Sequence, residues 1–204
     1  MTTDPIALAD WRRRTAEIYI IARNTADPEA AWHRWRQARD QLFRDHAQSP
    51  IARARRDRYT ALRYFDYDPA ARFVVGFEPI AKGRAIEAGQ GDGGPVALRP
   101  VARTSGLAPS CGRELTLYWV EGYGGGLFLP FADATTGGET YAGGRTLLDG
   151  IKGADLGMDG DRIVIDFNFA FNPSVAYGAS GPCPPPPAEN RLEAAVRAGE
   201  KAPE

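Results

Sequence analysis

Two stretches of the chain gather the residue types that bind or react. The first is Asp133-Ala134-Thr135-Thr136-Gly137-Gly138-Glu139-Thr140-Tyr141-Ala142-Gly143-Gly144-Arg145. It places an acid pair, three threonine hydroxyls, a tyrosine and an arginine within thirteen residues. The second is Asp166-Phe167-Asn168-Phe169-Ala170-Phe171-Asn172-Pro173. In an extended chain, Asp166, Asn168 and Asn172 share one face, opposite three phenylalanines. Asp and Asn are poor strand formers, so such a face needs water or specific partners. Arginine offers a planar fork that suits a carboxylate, from the protein or from a ligand. At period two, Glu139, Tyr141 and Arg145 point the same way. The candidate ligand-binding residues are therefore Glu139, Tyr141, Arg145, Asp166, Asn168 and Asn172, with Asn190 and Arg191 of the tail closing one polar locus.

Other chemistry is poorly supplied, and no catalytic residue is assigned. There is no G-x-S-x-G elbow and no legible pairing of a Ser or Cys with a His. The two histidines, His33 and His46, and the two cysteines, Cys111 and Cys183, do not fall at zinc-ligand spacing. No metal and no cofactor are expected. Asp155 to Asp161 has the look of a calcium loop but lacks the EF-hand spacing and its terminal Glu, so it reads as a hairpin turn. Gly124-Gly125-Gly126 precedes an apolar run and has no GK[ST] after it, so it reads as a turn or bulge. Cys183 lies among prolines with no local cation to activate it and reads as a structural thiol.

Charge narrows the partners. The formal net charge is -1, which gives no bulk attraction to nucleic acid or to an anionic membrane. Residues 11–72 carry 14 Arg against 8 Asp plus Glu, an excess that reads as a solvated helical face rather than a nucleic-acid reader. The start of the chain lacks a basic and apolar leader, and no apolar run approaches the ~20 residues of a membrane span. A cytoplasmic protein with reduced cysteines is expected. A small molecule is the partner left open; oligomeric state is not legible.

These candidates must be positioned by the surrounding elements. Leu8, Trp11, Thr15, Ile18 and Ala22 recur at helical spacing and predict a helix over 6–23. Asp27-Pro28-Glu29 is a helix start, with a capping acid and a proline in the first turn. That helix runs to about His46, before Ser49-Pro50. Trp32 and Trp35 on it read as core, with Trp35 on the Ala31–Ala38–Leu42 stripe and more deeply buried. From about Tyr59 the period changes to two. Strands are predicted at 72–78, 113–120, 127–131, 144–148 and 163–168. No helices intervene, so the fold class is mainly β with an N-terminal helical segment (α+β), its sheet antiparallel and strongly curved or barrel-like. The organisation is a helical segment over 1–58, an antiparallel β domain over 59–177, and a proline-rich tail over 178–204 packed on it, in one structural domain. A short helix near Arg191 to Arg197 is expected in the tail.

Leu127-Phe128-Leu129-Pro130-Phe131-Ala132-Asp133-Ala134-Thr135, Gly138-Glu139-Thr140-Tyr141 through Gly144-Arg145, Asp166-Phe167-Asn168 and Asn172-Pro173 form long motifs. So do Pro185-Pro186 with Glu189-Asn190-Arg191-Leu192 and Ala198-Gly199-Glu200, and upstream Arg39-Asp40-Gln41-Leu42-Phe43 with His46, Gln48, Ser49 and Pro50. Over residues 36–201 the chain resembles the bacterial and archaeal family called domain of unknown function 1684, in a short form without an extra β-rich insert. The resemblance implies no activity. It also implies a cysteine soon after the Asn-Pro that would pair with the later one. Here that stretch reads Asn172-Pro173-Ser174-Val175-Ala176-Tyr177, so a cysteine-pair function does not carry over.

Two readings follow. One is a small-molecule-binding or enzymatic β domain with a polar Glu/Tyr/Arg/Asp/Asn site. The other is a structural or protein-interaction module in which the same polar cluster only fixes the tail. A deep cavity favours the first, and a filled hydrogen-bond network favours the second.

Overall fold

Asp4 and Asp27 each start a helix by accepting a backbone N–H, from Ile6 at 2.9 Å and from Ala30 at 2.7 Å, with a proline in the first turn in both cases. The resulting helices are α1 (Pro5–Arg23) and α2 (Pro28–Asp45). The computed structural model describes residues 4–89, 94–179 and 184–203. α1 and α2 pack as a hairpin and bury Trp11, Ile18 and Tyr19 against Trp35, Leu42 and Phe43. Trp32 and Trp35 are both buried, and only the Trp32 indole finds a partner, donating to the Asn168 carbonyl at 2.9 Å. Burying one such ring removes roughly 200 Å² from water, an upper bound of about 5 kcal/mol. Short helices α3 (Arg53–Arg56) and α4 (Ala108–Cys111) punctuate the later chain.

Among the described residues eight strands follow: β1 (Arg72–Pro79), β2 (Ile86–Ala88), β3 (Val96–Ser105), β4 (Thr116–Val120), β5 (Gly126–Phe131), β6 (Arg145–Asp149), β7 (Met158–Asp159) and β8 (Arg162–Asp166). Every pairing is antiparallel, in the order β6-β5-β4-β3-β1-β8-β7, with β2 also on β3. The sheet curls into a half-barrel. The two registers that slip lie between Pro100 and Ala102 and between Leu129 and Pro130. Proline cannot donate to a ladder, so it is tolerated where the ladder breaks, and the break adds twist and bend. Leu115, Leu129, Phe131, Ile165 and Phe167 are buried together in one core cluster.

The two predicted N-terminal helices and the five predicted strands are present, and the sheet has the expected antiparallel, strongly curved character. The first strand starts at Arg72, later than the change of period near Tyr59. β3, the longest of these strands, is not among the predicted ones, because Arg99, Pro100 and Arg103 interrupt its alternation. The strand expected over 163–168 stops at Asp166. Its carboxylate accepts the Asn168 N–H at 3.0 Å and turns the chain into a 3-10 turn, Phe167–Phe169. The alternating Asp166/Asn168/Asn172 face therefore does not form: local side-chain bonds compete with the ladder. Residues 139–144 are likewise turns rather than strand, since Thr136 bridges Thr140 and β6 starts only at Arg145. The tail has no helix at 191–197; a 3-10 turn lies at Ala188–Asn190. Cys111 is a buried free thiol, pushed up by burial and then by Glu114. Cys183 lies outside the described residues. No helix among the described residues is long and apolar enough to cross a membrane.

Candidate functional site

Arg145 opens β6 directly after Gly144, whose φ of +81° and contacts leave no room for a side chain: a Cβ there would meet Pro186 Cγ at 2.5 Å and the Phe131 carbonyl at 2.7 Å. The glycine delivers Arg145 into the protein interior. Its Nη2 donates to Asp133 Oδ2 at 2.7 Å and to the Val196 carbonyl at 2.9 Å, and its Nη1 to the carbonyls of Ala198 and Glu200. The guanidinium centre lies 4.9 Å from the Phe131 ring centroid. Asp133 Oδ1 in turn accepts the Thr135 N–H and hydroxyl at 2.7 and 2.6 Å, and Thr135 Oγ1 lies 2.9 Å from Thr140 Oγ1. Burial lowers the Arg145 pKa from its ordinary value, against the raising effect of Asp133. Of the three Arg145 side-chain nitrogens, Nε alone has no partner.

A second buried centre is Glu200, wholly enclosed. Its Oε1 accepts Arg39 Nη2 at 2.5 Å, Arg39 Nε at 3.0 Å and the Tyr64 hydroxyl at 3.1 Å. Its Oε2 accepts the Asn172 N–H at 2.7 Å and the Tyr177 hydroxyl at 2.8 Å. Burial is the largest single influence and opposes the charge on Arg39, but Glu200 together with Tyr64, Tyr177 and Tyr19 outweighs it and holds the guanidinium above its ordinary value. Burial, reinforced by Glu200, raises the Tyr64 and Tyr177 phenols, so both remain donors. Asn172 also donates from Nδ2 to the Lys201 carbonyl at 2.8 Å.

The remaining sequence candidates occupy separate places. Asp166, raised above its ordinary value by burial, accepts Asn168 Nδ2 at 2.9 Å and Arg72 Nη1 at 3.3 Å. Asn168 brackets Asp68, donating to its carbonyl at 2.8 Å and accepting its N–H at 2.9 Å. Asn190 joins β4 to β5: it accepts the Thr116 N–H at 2.8 Å and donates to the carbonyls of Thr116 and Pro130 at 2.9 and 2.8 Å. Glu139 is exposed and pairs with Arg197 at 2.9 Å. Tyr141 is half-buried over Gly143, and Arg191 is exposed. The structure thus links Arg145 and Asn172, through Glu200, and sets Asp166 with Asn168, Asn190, and Glu139 apart. Asp133 and Glu200 were part of the quoted motifs but not of the candidate set. A carboxylate's buried partner is set by contacts far along the chain, which spacing does not encode.

A cavity of about 600 Å³ lies beside these networks, between α1, the turn after α2, the strand ends and the tail. Leu8, Trp11, Val120, Phe128, Ile151 and Val175 give it apolar walls. Arg12, Gln48, Thr146, Asp149, Lys152 and Ser174 give it polar groups, and Arg145 also borders it. His46 holds the rim at 47–50. Its Nδ1 accepts the Gln48 N–H at 3.0 Å, which leaves Nε2–H to face Asp10 Oδ2 at 3.0 Å. That hydrogen bond holds the Asp10 carboxyl below its ordinary value, with Arg14 and Arg13 adding to it. Ser49, the hydroxyl nearest in sequence, donates to the Phe43 carbonyl at 2.5 Å, so Asp10, His46 and Ser49 do not form a nucleophile–base relay. Among the described residues no group of three or more His, Cys, Asp or Glu could hold a metal ion.

The fold and its site define an α+β protein: a helical hairpin against a curled antiparallel sheet, a C-terminal tail locked by buried ion pairs, and one mixed cavity beside the lock. The chain belongs to the family described as protein of unknown function (DUF1684), which matches residues 57–201. It is similar to the uncharacterized protein from gene locus rrnAC0354 of Haloarcula marismortui, known from a solution NMR structure. The two are 33% identical, with 85% of this chain and 93% of that one covered and a TM-score of 0.57. No curated protein matches.

Proposed function

We propose that the protein binds a small molecule in the cavity beside the tail lock. The observation that carries this is the cavity itself: about 600 Å³, with apolar walls and a few polar groups, within the range that encloses a drug-sized ligand. Of the residues singled out from the sequence, Arg145 borders it, and Asn172 is held next to Pro173, which also lines it. The buried networks serve a different role. Their hydrogen bonds are taken by the protein's own groups, as the tail-fixing reading requires. The two readings therefore divide the molecule, with a structural lock and a neighbouring binding site. A nucleophile–base relay is not assembled, so binding rather than covalent catalysis is the function proposed.

Titration with the neutral fluorophore N-phenyl-1-naphthylamine tests it. Saturable binding near one equivalent is expected, abolished in Val120→Trp, which fills the cavity from its wall; Ser174→Trp serves as a second obstruction if the first does not fold. Unchanged binding in a folded obstructed variant would overturn the proposal.

A further inference from the structure

The rim of the cavity carries unequal charge. Arg12 and Lys152 both line it, and Asp149 is its one acid among the described residues. Asp149 is already engaged: it accepts the Lys152 Nζ at 2.6 Å and the Lys152 N–H at 3.3 Å. Lys152 keeps two further ammonium donors and is part-exposed. On α1, Asp10 takes Arg13 at 2.9 Å and Arg14 at 2.8 Å, and Arg12 has no ion pair among the described residues.

Arg12 and Lys152 belong to one rim. Gly153, at φ +68°, lies so close to α1 that a Cβ there would meet Ala16 Cβ at 2.6 Å and Ala16 Cα at 3.1 Å. The turn bearing Lys152 therefore seats directly on the α1 face that carries Ala16. Leu8, Arg12 and Ala16 follow at intervals of four, which puts them on one helix face. Leu8 and Trp11 continue that face down the cavity wall. The same turn is backed against β5, where a Cβ on Gly126 would meet the Ile151 N at 2.9 Å. The positive edge is thus built on two packed elements above an apolar chamber.

We propose that the ligand of this cavity is an amphipathic carboxylic acid, its apolar body against Trp11, Val120 and Phe128 and its carboxylate between Arg12 and Lys152. This rests on the cavity being the binding site. An arginine fork and an ammonium are suited to one carboxylate. The same edge disfavours a cationic head by like-charge repulsion.

The experiment displaces N-phenyl-1-naphthylamine with decanoate, decanol and decyltrimethylammonium at low ionic strength. It uses the wild type, the double variant Arg12→Ala/Lys152→Ala, and Val120→Trp. Decanoate should compete about fivefold better than decanol, the scale of an exposed ion pair, and the cation worst. The preference should shrink in high salt. In the double variant, decanoate should fall to the level of decanol while decanol is unchanged. Equal competition by decanoate and decanol in the wild type, or a preference for the cation, would overturn the carboxylate assignment and leave the cavity reading intact, since the fluorophore and its block by Val120→Trp report on that separately. A preference that survives the double variant would overturn the roles of Arg12 and Lys152. Failure of the fluorophore to bind the wild type would remove the cavity reading and this inference with it.

Discussion

Arg39 and Glu200 stand 161 residues apart in the chain, and their charged groups meet at 2.5 Å in the interior. α2 supplies the cation and the last described turn of the tail supplies the anion. Between them lie Tyr64, Asn172 and Tyr177, from the two segments that flank the tail. The tail is woven into place as well: Phe65 N–H reaches the Gly199 carbonyl at 3.0 Å, Glu200 N–H reaches Ala170 at 2.9 Å, and Lys201 N–H reaches Arg63 at 2.8 Å. The pair therefore ties the beginning, middle and end of the chain together.

Removing one side of that pair strands the other. Arg39→Ala is expected to destabilise by about 3–5 kcal/mol, because an unpaired buried carboxylate remains. In a chain of this length that is a fall of roughly 10 °C in melting temperature. Thermal denaturation checks it. Replacing both partners, as Arg39→Met with Glu200→Leu, should recover much of the loss; a double variant as unstable as Arg39→Ala would count against the explanation. Calorimetry of the wild type is expected to show one cooperative transition, with the segments 1–58, 59–177 and 178–204 unfolding together.

Arg145→Ala should act on the tail rather than on the strand that bears it. Three of its acceptors are backbone carbonyls of Val196, Ala198 and Glu200. Hydrogen exchange at residues 196–201 is expected to accelerate more than exchange in β5, and stability should fall by about 3 kcal/mol or more as Asp133 is left unpaired. Uniform acceleration across the sheet would contradict this.

Glu114 gives a pH dependence with a defined sign. Burial would raise its pKa, but the Thr104 hydroxyl at 2.6 Å and the backbone N–H groups of Ala108, Gly106 and Leu107 outweigh burial and hold it below its ordinary value of 4.5. A depressed carboxyl contributes stability above its unfolded pKa and loses it as the pH falls through the folded one. The stabilisation should thus be complete at neutral pH and disappear below about 4.5. Glu114→Gln should lower the melting temperature at pH 7 and narrow its difference from wild type at acid pH. A difference independent of pH would refute the assignment.

Gly199→Ala probes the lock through the backbone. Gly199 has φ +79°, and a Cβ would meet the Phe167 carbonyl at 2.6 Å and the Ala170 carbonyl at 2.7 Å. Left-handed strain alone costs of order 1–3 kcal/mol, and contact with two fixed carbonyls adds to it. Equilibrium unfolding in urea should show a loss of at least about 2 kcal/mol; a loss no larger than that of Gly112→Ala, whose Cβ position is open, would show that the contacts do not matter.

The sequence by itself determined the local elements. Capping acids before Pro5 and Pro28, the helical stripe from Trp11 to Ala22 and the alternation at Ile163 and Ile165 are properties of neighbours in the chain, and each formed as its period dictates. The antiparallel, curved character followed from short strands without intervening helices. The family motifs were legible for the same reason, as contiguous text. What only the tertiary structure decided is which polar residue meets which. The pairing of Arg145 with Asp133 rather than Glu139, and of Asn172 with Glu200 rather than Asp166, depends on where Gly144 and Gly199 bend the chain and on a tail that returns across the sheet. A hydrogen bond within two or three residues can override an alternating pattern, as Asp166 does with Asn168. A cavity belongs to no segment at all: Arg12 and Lys152 share its rim because a glycine without a side chain lets a turn rest against a helix 137 residues earlier, Gly153 on Ala16, and close packing of that kind is a property of the folded chain alone.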